Sequence, residues 1–165
     1  MIERVRAAVS EVRDPEIRVL SIQELGILRE VRAGDDGRVV VTVTPTYLGC
    51  PAMDVIRAEI EAAARAAGCT EIEIVTCLTP PWTTDWLSET ARAKLAAAGM
   101  APPGPVGTPP SGRTLPLIPL SPGPRRCPRC GSADTTEIAR AGSTACKALW
   151  RCDACRQPFD LMKEH

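Results

Sequence analysis

The spacing of apolar positions in the first fifty residues changes from helical to strand-like. Residues 2–12 place Ile and Val every three or four positions, which predicts a first helix that ends at Asp14-Pro15. Two β-rich runs follow at 27–33 and 38–44, and the Gly-Asp-Asp-Gly sequence at 34–37 between them is typical of a hairpin. The second run is apolar enough to form a central strand.

Helical and strand-like patterns continue to alternate as far as residue 99. Pro51 is well placed at the first position of a second helix, and Gly68 marks the end of that helix. Residues 71–77 alternate like a strand, and we expect a final helix that is capped by a threonine at 83–84 and ends at Gly99. The predicted order α-β-β-α-β-α indicates an α+β fold, with helices packed on a small mixed sheet.

The composition changes abruptly at Ala101. Residues 102–124 hold nine of the 16 prolines and four glycines, which neither a helix nor a central strand can sustain. We therefore predict a proline-rich linker at 101–124, between an N-terminal domain at 1–100 and a C-terminal module at 125–165. The domain carries a net charge of −4 and the module one of +3, so the two could attract each other weakly or face different partners.

Charge and targeting signals narrow the classes of function. The 20 basic and 20 acidic residues give a net charge of zero, which argues against a nucleic-acid binder that acts through bulk electrostatics. The single histidine is His165, so a Ser-His-Asp triad in the folded body is implausible. Residues 1–15 lack the apolar region of a signal peptide, and no run approaches the about 18 apolar residues of a membrane span. We expect a cytoplasmic protein that does not enter the membrane.

Four cysteines form the strongest motif in the chain. Cys127 and Cys130 make one CxxC pair, Cys152 and Cys155 make another, and 21 residues separate the two pairs. Two such turns complete the tetrahedral shell of a structural zinc ion, as in a zinc ribbon, and metal binding can supply the folding energy that a short module lacks. Disulfide bonds and a rubredoxin-like iron site are the alternatives.

A further cysteine of the module, Cys146, lies six residues before Cys152 in the sequence Gly-Ser-Thr-Ala-Cys-Lys at 142–147. Its simplest role is that of a small buried apolar residue in a strand. The alternatives are an auxiliary thiol beside the zinc or a thiol activated by Lys147. For the arginines of the module we favour a solvated surface over RNA binding.

Cys50 is the candidate functional residue of the N-terminal domain. It lies between a strand end and Pro51, where the unpaired N–H groups of a helix start stabilise a thiolate, so it could be a nucleophile, a metal ligand or an inert packing residue. Cys77 ends the next predicted strand, and it comes near Cys50 if the two strands are neighbours. Cys69, just after Gly68, is most simply structural.

The remaining polar and aromatic candidates have simpler explanations. Several carboxylates lie in predicted caps and turns, where we favour capping over acid-base chemistry: Asp14, Glu16, Glu24 and Asp85. Trp82 and Trp86 are spaced by one helical turn. We favour the interpretation that they anchor a core or an interface, and the alternative is that they form a platform for a ligand.

Three segments carry a resemblance to a known family. The sequences Asp-Pro-Glu-Ile at 14–17, Glu-Leu-Gly-Ile at 24–27 and Thr-Pro-Thr-Tyr-Leu-Gly-Cys-Pro at 44–51 resemble the signature of the small domain of iron-sulfur assembly factors and Suf-type maturation proteins. Cys50 matches the functional cysteine of that family, and Glu24 stands where an aspartate is usual. The resemblance implies that Cys50 is a transient ligand for iron or an iron-sulfur cluster.

The rest of the chain makes the resemblance more specific. The run Pro-Pro-Trp-Thr-Thr-Asp-Trp at 80–86, the proline-rich segment and a four-cysteine ribbon with the 142–147 sequence together resemble the D subunits of phenylacetyl-CoA epoxidase systems of phenylacetate catabolism. This resemblance implies an accessory subunit that assists metal assembly, with a di-iron oxygenase component and a flavin and iron-sulfur reductase component as partners. It does not imply an enzyme.

Three hypotheses of function remain. In the first, the chain is a cofactor-maturation factor, with a homodimer that shares a cluster between two Cys50 residues as an attractive form. In the second, it is a structural docking subunit of the oxygenase that uses Trp82 and Trp86 and transfers no metal. In the third, Cys50 and Cys77 serve a thiol redox enzyme.

Overall fold

The chain folds as two units in the computed structural model, which describes residues 1–34, 37–104, 106 and 125–164. The first unit is Met1–Lys94 and the second is Leu95–Glu164. No helix among these described residues is long and apolar enough to cross a membrane.

The first unit contains the predicted mixed sheet, and its elements are α1 (Ile2–Ser10), β1 (Leu28–Ala33), β2 (Val39–Val43), α2 (Ala52–Ala66) and β3 (Ile72–Thr76). The strand order is β1-β2-β3, with β1 antiparallel to β2 and β3 parallel to it. The prediction of a central second strand is confirmed. The predicted hairpin residues Asp35 and Asp36 lie outside the described residues.

The core of this unit follows from the spacing of its apolar side chains. On α2, every fourth residue is buried: Ala52, Ile56, Ile60 and Ala64. Ile56 and Ile60 are completely buried, and each such side chain contributes about 1.5–3 kcal/mol to folding. Four of the five β2 residues are buried, which is expected of a strand covered on both faces.

The predicted final helix is wrong in its start and in its cap. The hydroxyl of Thr83 accepts a hydrogen bond from the Asp85 N–H, but it caps only a 3-10 helix at Thr84–Trp86. The chain then extends at Leu87, and α3 (Glu89–Ala97) begins after the hydroxyl of Ser88 accepts the Ala91 N–H at 3.1 Å. Thr83 and Ser88 are both good caps, so local preference could not select between them.

A backbone turn at Gly26 lies next to both tryptophans. Gly26 has φ +73°, and a Cβ placed on it would lie 3.5 Å from Trp86 and 3.7 Å from the indole nitrogen of Trp82, which are ordinary contacts. The positive φ, rather than crowding, therefore requires glycine at this position.

We expect Gly26→Ala to lower the free energy of unfolding by about 1–2 kcal/mol, because alanine resists the left-handed conformation. Urea denaturation of the full chain measures this change. Gly37→Ala is the matched control, since Gly37 has φ +85° and a Cβ placed on it would meet no atom within 4 Å. Equal losses of stability at the two positions would support the explanation that the positive φ alone causes the loss. A much larger loss at Gly26 would contradict this explanation.

The second unit is built on a four-stranded sheet. Its strands are β4 (Met100–Ala101), β5 (Thr135–Ala139), β6 (Lys147–Cys152) and β7 (Pro158–Met162), in the order β4-β7-β6-β5. The last three strands form an antiparallel meander, and β4 pairs with β7 in parallel. The ribbon core is a single cluster: Ala101, Cys127, Ala148, Trp150, Cys152, Phe159 and Leu161.

The predicted division at residues 100 and 125 remains a prediction. Among the described residues, the boundary between the two units falls between Lys94 and Leu95, within α3. Strand β4 lies at the predicted start of the linker. Of that predicted linker, residues 105 and 107–124 lie outside the described residues.

Candidate functional site

Two similar turns bring the four cysteines of the ribbon together. In the first turn the Gly131 N–H donates to the carbonyl of Cys127, and in the second the Arg156 N–H donates to the carbonyl of Cys152, both at 2.9 Å. Gly131 has φ +74° and Arg156 has φ +64°, so both turns end in the left-handed conformation. The repeated geometry directs two pairs of sulfurs to one point.

The sulfur positions fit a single metal ion. All four Sγ atoms lie within 4.8 Å of one another, with 3.8 Å between Cys127 and Cys155 and 3.5 Å between Cys130 and Cys152. A metal–sulfur bond of about 2.3 Å in a tetrahedral site places any two sulfurs about 3.8 Å apart. Within the described ranges, this is the one cluster of three or more potential ligands.

The cluster also favours thiolate formation at one position. Burial raises the pKa of the Cys127 thiol, but the N–H groups of Cys130 and Arg129 donate to its sulfur and lower the pKa from 9.0 to about 7. The Ser132 N–H lowers the pKa of Cys130, but the thiol of Cys152, burial and the other two thiols raise it to about 12. A bound metal ion displaces the protons that remain.

Cys146 does not lie beside this cluster. It precedes the first residue of β6, whereas Cys152 is the last, and a strand rises by about 3.3 Å per residue, so the two are separated by about 20 Å. Cys146 is therefore not a member of the four-sulfur cluster, and its role as an auxiliary thiol remains a prediction. Cys146 is 4% exposed and its sulfur lies 3.1 Å from the hydroxyl of Thr144, as expected for a buried packing residue.

Cys50 lies in the turn between β2 and α2, as the sequence predicts. Its N–H donates to the carbonyl of Tyr47 and its own carbonyl accepts from the Met53 N–H, both at 3.3 Å. Pro51 precedes the helix by one residue instead of being its first residue. The half-buried thiol therefore lies at the N-terminal end of a 15-residue helix, where a negative charge is favoured.

An apolar cleft of about 240 Å³ borders the Cys50 loop. It is lined by Thr44, Pro45, Thr46, Tyr47, Leu48, Leu78, Pro81 and Trp82. Thr44 is 1% exposed, and its hydroxyl has no hydrogen-bond partner among the described residues. Leu48 and Leu78 are 79% and 52% exposed. Sequence reasoning missed this cleft, because its walls come from segments more than twenty residues apart.

Cys77 lies at the same sheet edge as the start of the Cys50 loop. Its N–H donates to the carbonyl of Val43 at 2.8 Å, because β3 runs parallel to β2. The Cys77 thiol contacts the carbonyl of Thr79 at 3.0 Å, and its pairing with Cys50 remains a prediction. Cys69 is buried, with its thiol directed to the carbonyl of Glu71 at 3.2 Å.

Two acidic residues near the first turns accept hydrogen bonds from backbone N–H groups. One carboxylate oxygen of Asp14 accepts the N–H groups of residues 16 and 17 at 2.8 and 2.7 Å. Ser21 and Glu24 each accept the other's N–H, which is a capping box. A hydrogen bond from Lys94, followed by the Ser21 N–H, lowers the pKa of Glu24. These contacts agree with the capping roles predicted for Asp14 and Glu24.

The two tryptophans differ in their surroundings. Trp82 is 5% exposed, and its indole N–H donates to the carbonyl of Leu25 at 2.7 Å. Trp86 is half-buried, and the guanidinium group of Arg29 lies 4.1 Å from the centre of its ring. They do not share a helix, because Trp82 precedes the 3-10 helix that contains Trp86. Trp82 belongs to the core, and the predicted interface role of the pair remains untested.

The fold and the cysteine cluster define a class of protein that joins an iron-sulfur assembly domain to a zinc ribbon. Residues 2–74 match the Iron-sulfur cluster assembly protein family, and residues 121–163 match the PaaD zinc beta ribbon domain. These matches bear out the resemblance in both halves of the chain.

A relative from Escherichia coli (strain K12) matches nearly the whole chain. It is provisionally assigned as the D subunit of 1,2-phenylacetyl-CoA epoxidase, and it is 43% identical over 98% of this chain and 92% of its own length. The chain belongs to the family of these D subunits.

Two further similarities concern the N-terminal part. The Fe-S protein maturation auxiliary factor YitW of Bacillus subtilis (strain 168) is 34% identical over 56% of this chain and 91% of its own. A crystal structure of a domain of unknown function, DUF59, from Bacillus anthracis has a TM-score of 0.51 at 28% identity, over 57% of this chain and 90% of its own. The similarity to YitW supports an accessory role related to iron-sulfur proteins, and the similarity to the DUF59 structure supports the fold.

Proposed function

We propose that this chain is an accessory subunit of a phenylacetyl-CoA epoxidase that assists the assembly of the iron or iron-sulfur cofactor of the system. The observation that carries the proposal is the half-buried Cys50 thiol at the start of α2, in a chain whose relatives are described as Fe-S maturation factors. The clients would be the oxygenase or reductase components.

The surroundings of Cys50 suit transient binding of a metal cargo. The half-buried Cys50 thiol lies at the start of α2, and a single sulfur ligand leaves the other coordination positions of an iron ion or cluster open to a recipient. The nearby cleft supplies apolar walls and the Thr44 hydroxyl, for which the described part of the chain offers no hydrogen-bond partner. Two copies of the chain would offer two Cys50 ligands, which makes a homodimer a natural holding form.

Zinc is the ion that we assign to the ribbon. Four thiolates in tetrahedral spacing leave no open coordination position, so this site is structural instead of catalytic. Cys127, Cys130, Cys152 and Cys155 would hold the ion and thereby tie the meander together.

We expect Cys50→Ala to weaken iron binding strongly without unfolding the chain. The test is anaerobic loading of the full chain with ferrous iron and sulfide, followed by measurement of iron, sulfide and zinc per chain. Iron retained after desalting should fall by about tenfold or more, since even loss of a supporting group commonly costs that much affinity. Zinc should stay near that of the wild type.

Two variants make this experiment specific. Cys69→Ala is the control, because its buried thiol points to the carbonyl of Glu71. Cys77→Ala tests the predicted auxiliary thiol. Unchanged iron in Cys50→Ala, together with epoxidase components that mature normally in its presence, would contradict the proposal.

The exposed Leu48 and Leu78 side chains favour a second function, that of a docking subunit without metal transfer. Full epoxidase activity with Cys50→Ser and co-purification in a fixed ratio would support this alternative.

A further inference from the structure

One carboxylate joins the two sides of the proline-rich segment. Oε1 of Glu164 accepts the Gly104 N–H at 2.8 Å, and the same oxygen lies 2.6 Å from Nη1 of Arg125. Gly104 lies just before residues 105–124, and Arg125 lies just after them. The two described flanks therefore meet at the C-terminal end of the ribbon unit.

The contact at Gly104 is close. A Cβ at this position would lie 2.7 Å from Nη1 of Arg125, which is closer than real Cβ atoms approach, and 3.0 Å from Oε1 of Glu164, which is a tight contact. A larger residue would therefore shift the ends of these two flexible side chains. The Arg125 and Glu164 side chains are 19% and 28% exposed, so water screens their attraction less than that of a fully exposed pair.

The residues before Gly104 also belong to the ribbon. Met100 and Ala101 of β4 pair with Asp160 and Leu161 of β7. Ala101 is 3% exposed and lies in the same buried cluster as two cysteines of the metal site. The sheet and the core of the ribbon therefore include chain from before the proline-rich segment.

We infer that residues 95–104 are an integral part of the ribbon fold, and that the proline-rich segment is an insertion within this unit instead of the tether between the two units. The chain passes from the first unit to the second within α3, between Lys94 and Leu95. The length of residues 105–124 then does not set the reach of the ribbon toward a client. This inference does not depend on iron binding at Cys50.

The test is a nick in the full, metal-loaded chain. A site for a specific protease is introduced within residues 108–120, the native protein is cleaved, and the products are analysed by size-exclusion chromatography. If β4 and the Glu164 contacts hold the ribbon together, the two fragments elute as one species and separate only in denaturant. If the segment is a simple tether, the fragments separate after cleavage.

A pair of variants shows which contacts hold the nicked fragments. In Glu164→Ala the nicked fragments should dissociate at an about tenfold higher protein concentration, because the hydrogen bond from the Gly104 N–H, which joins the two fragments, is lost. Glu137→Ala is the matched control, since Glu137 has the same 28% exposure and pairs with Arg140 at 3.6 Å. Zinc content of each uncut variant verifies folding.

A third variant, Ala101→Pro, disturbs β4 directly and should also promote separation. If nicked Glu164→Ala and nicked Ala101→Pro both remain associated like the wild type, the fragments are held by other surfaces and the inference is overturned. Because none of these readouts involves iron, a negative result leaves the proposed role of Cys50 to its own experiment.

Discussion

Cys152→Ala is expected to unfold the second unit while the first unit stays folded. Cys152 is completely buried at the end of β6, and its sulfur lies 3.5 Å from that of Cys130. Loss of one of four ligands removes most of the metal-binding energy, which is about 10–16 kcal/mol in small zinc-dependent peptides. A ribbon core of seven residues cannot replace a contribution of that size.

Hydrogen exchange of the full chain, read by mass spectrometry together with zinc content, measures this effect. Amides of β5, β6 and β7 should lose their protection, amides of β1, β2 and β3 should keep it, and zinc should fall to near zero. Cys146→Ala is the matched control, because Cys146 is as buried but lies at the other end of β6. A protected ribbon in Cys152→Ala would contradict a metal-dependent fold.

Trp82→Ala is expected to lower the free energy of unfolding of the first unit by about 3–5 kcal/mol. The side chain is 5% exposed, and its removal leaves a cavity next to Gly26. It also leaves the buried carbonyl of Leu25 without the indole N–H, which now donates to it at 2.7 Å. Loss of this much stability would make the first unit marginal.

Denaturant titration, with β1–β3 exchange as the readout for the first unit, measures the loss. Trp82→Phe keeps an aromatic ring but removes the donor, so we expect an intermediate loss of about 1–3 kcal/mol. Trp86→Ala should cost less than Trp82→Ala, because Trp86 is half-buried whereas Trp82 is 5% exposed. Equal losses for the two alanine variants would show that Trp82 is not the dominant anchor.

The metal cluster and the Cys50 turn could be located from sequence because their chemistry is local. A CxxC pair closes its own turn, and two pairs at a compatible spacing have few other uses in a short module. Cys50 was found in the same way, from a strand end followed by proline at a helix start. Many of the side chains that surround these cysteines come from distant parts of the chain, so the sequence did not reveal them.

The error in the start of the final helix has a physical cause. Thr83 and Ser88 are both adequate caps, so local preference could not select which of them begins α3.

The amino-acid sequence by itself determined the order of helices and strands in the first unit, the two cysteine turns and the candidate thiol, because each depends on neighbours within a few residues. Only the tertiary structure decided which distant segments meet. It placed Thr44 and Leu78 on one cleft, and it joined Gly104 to Glu164 across sixty positions. Such contacts depend on strand pairing and shared burial, which local patterns do not encode.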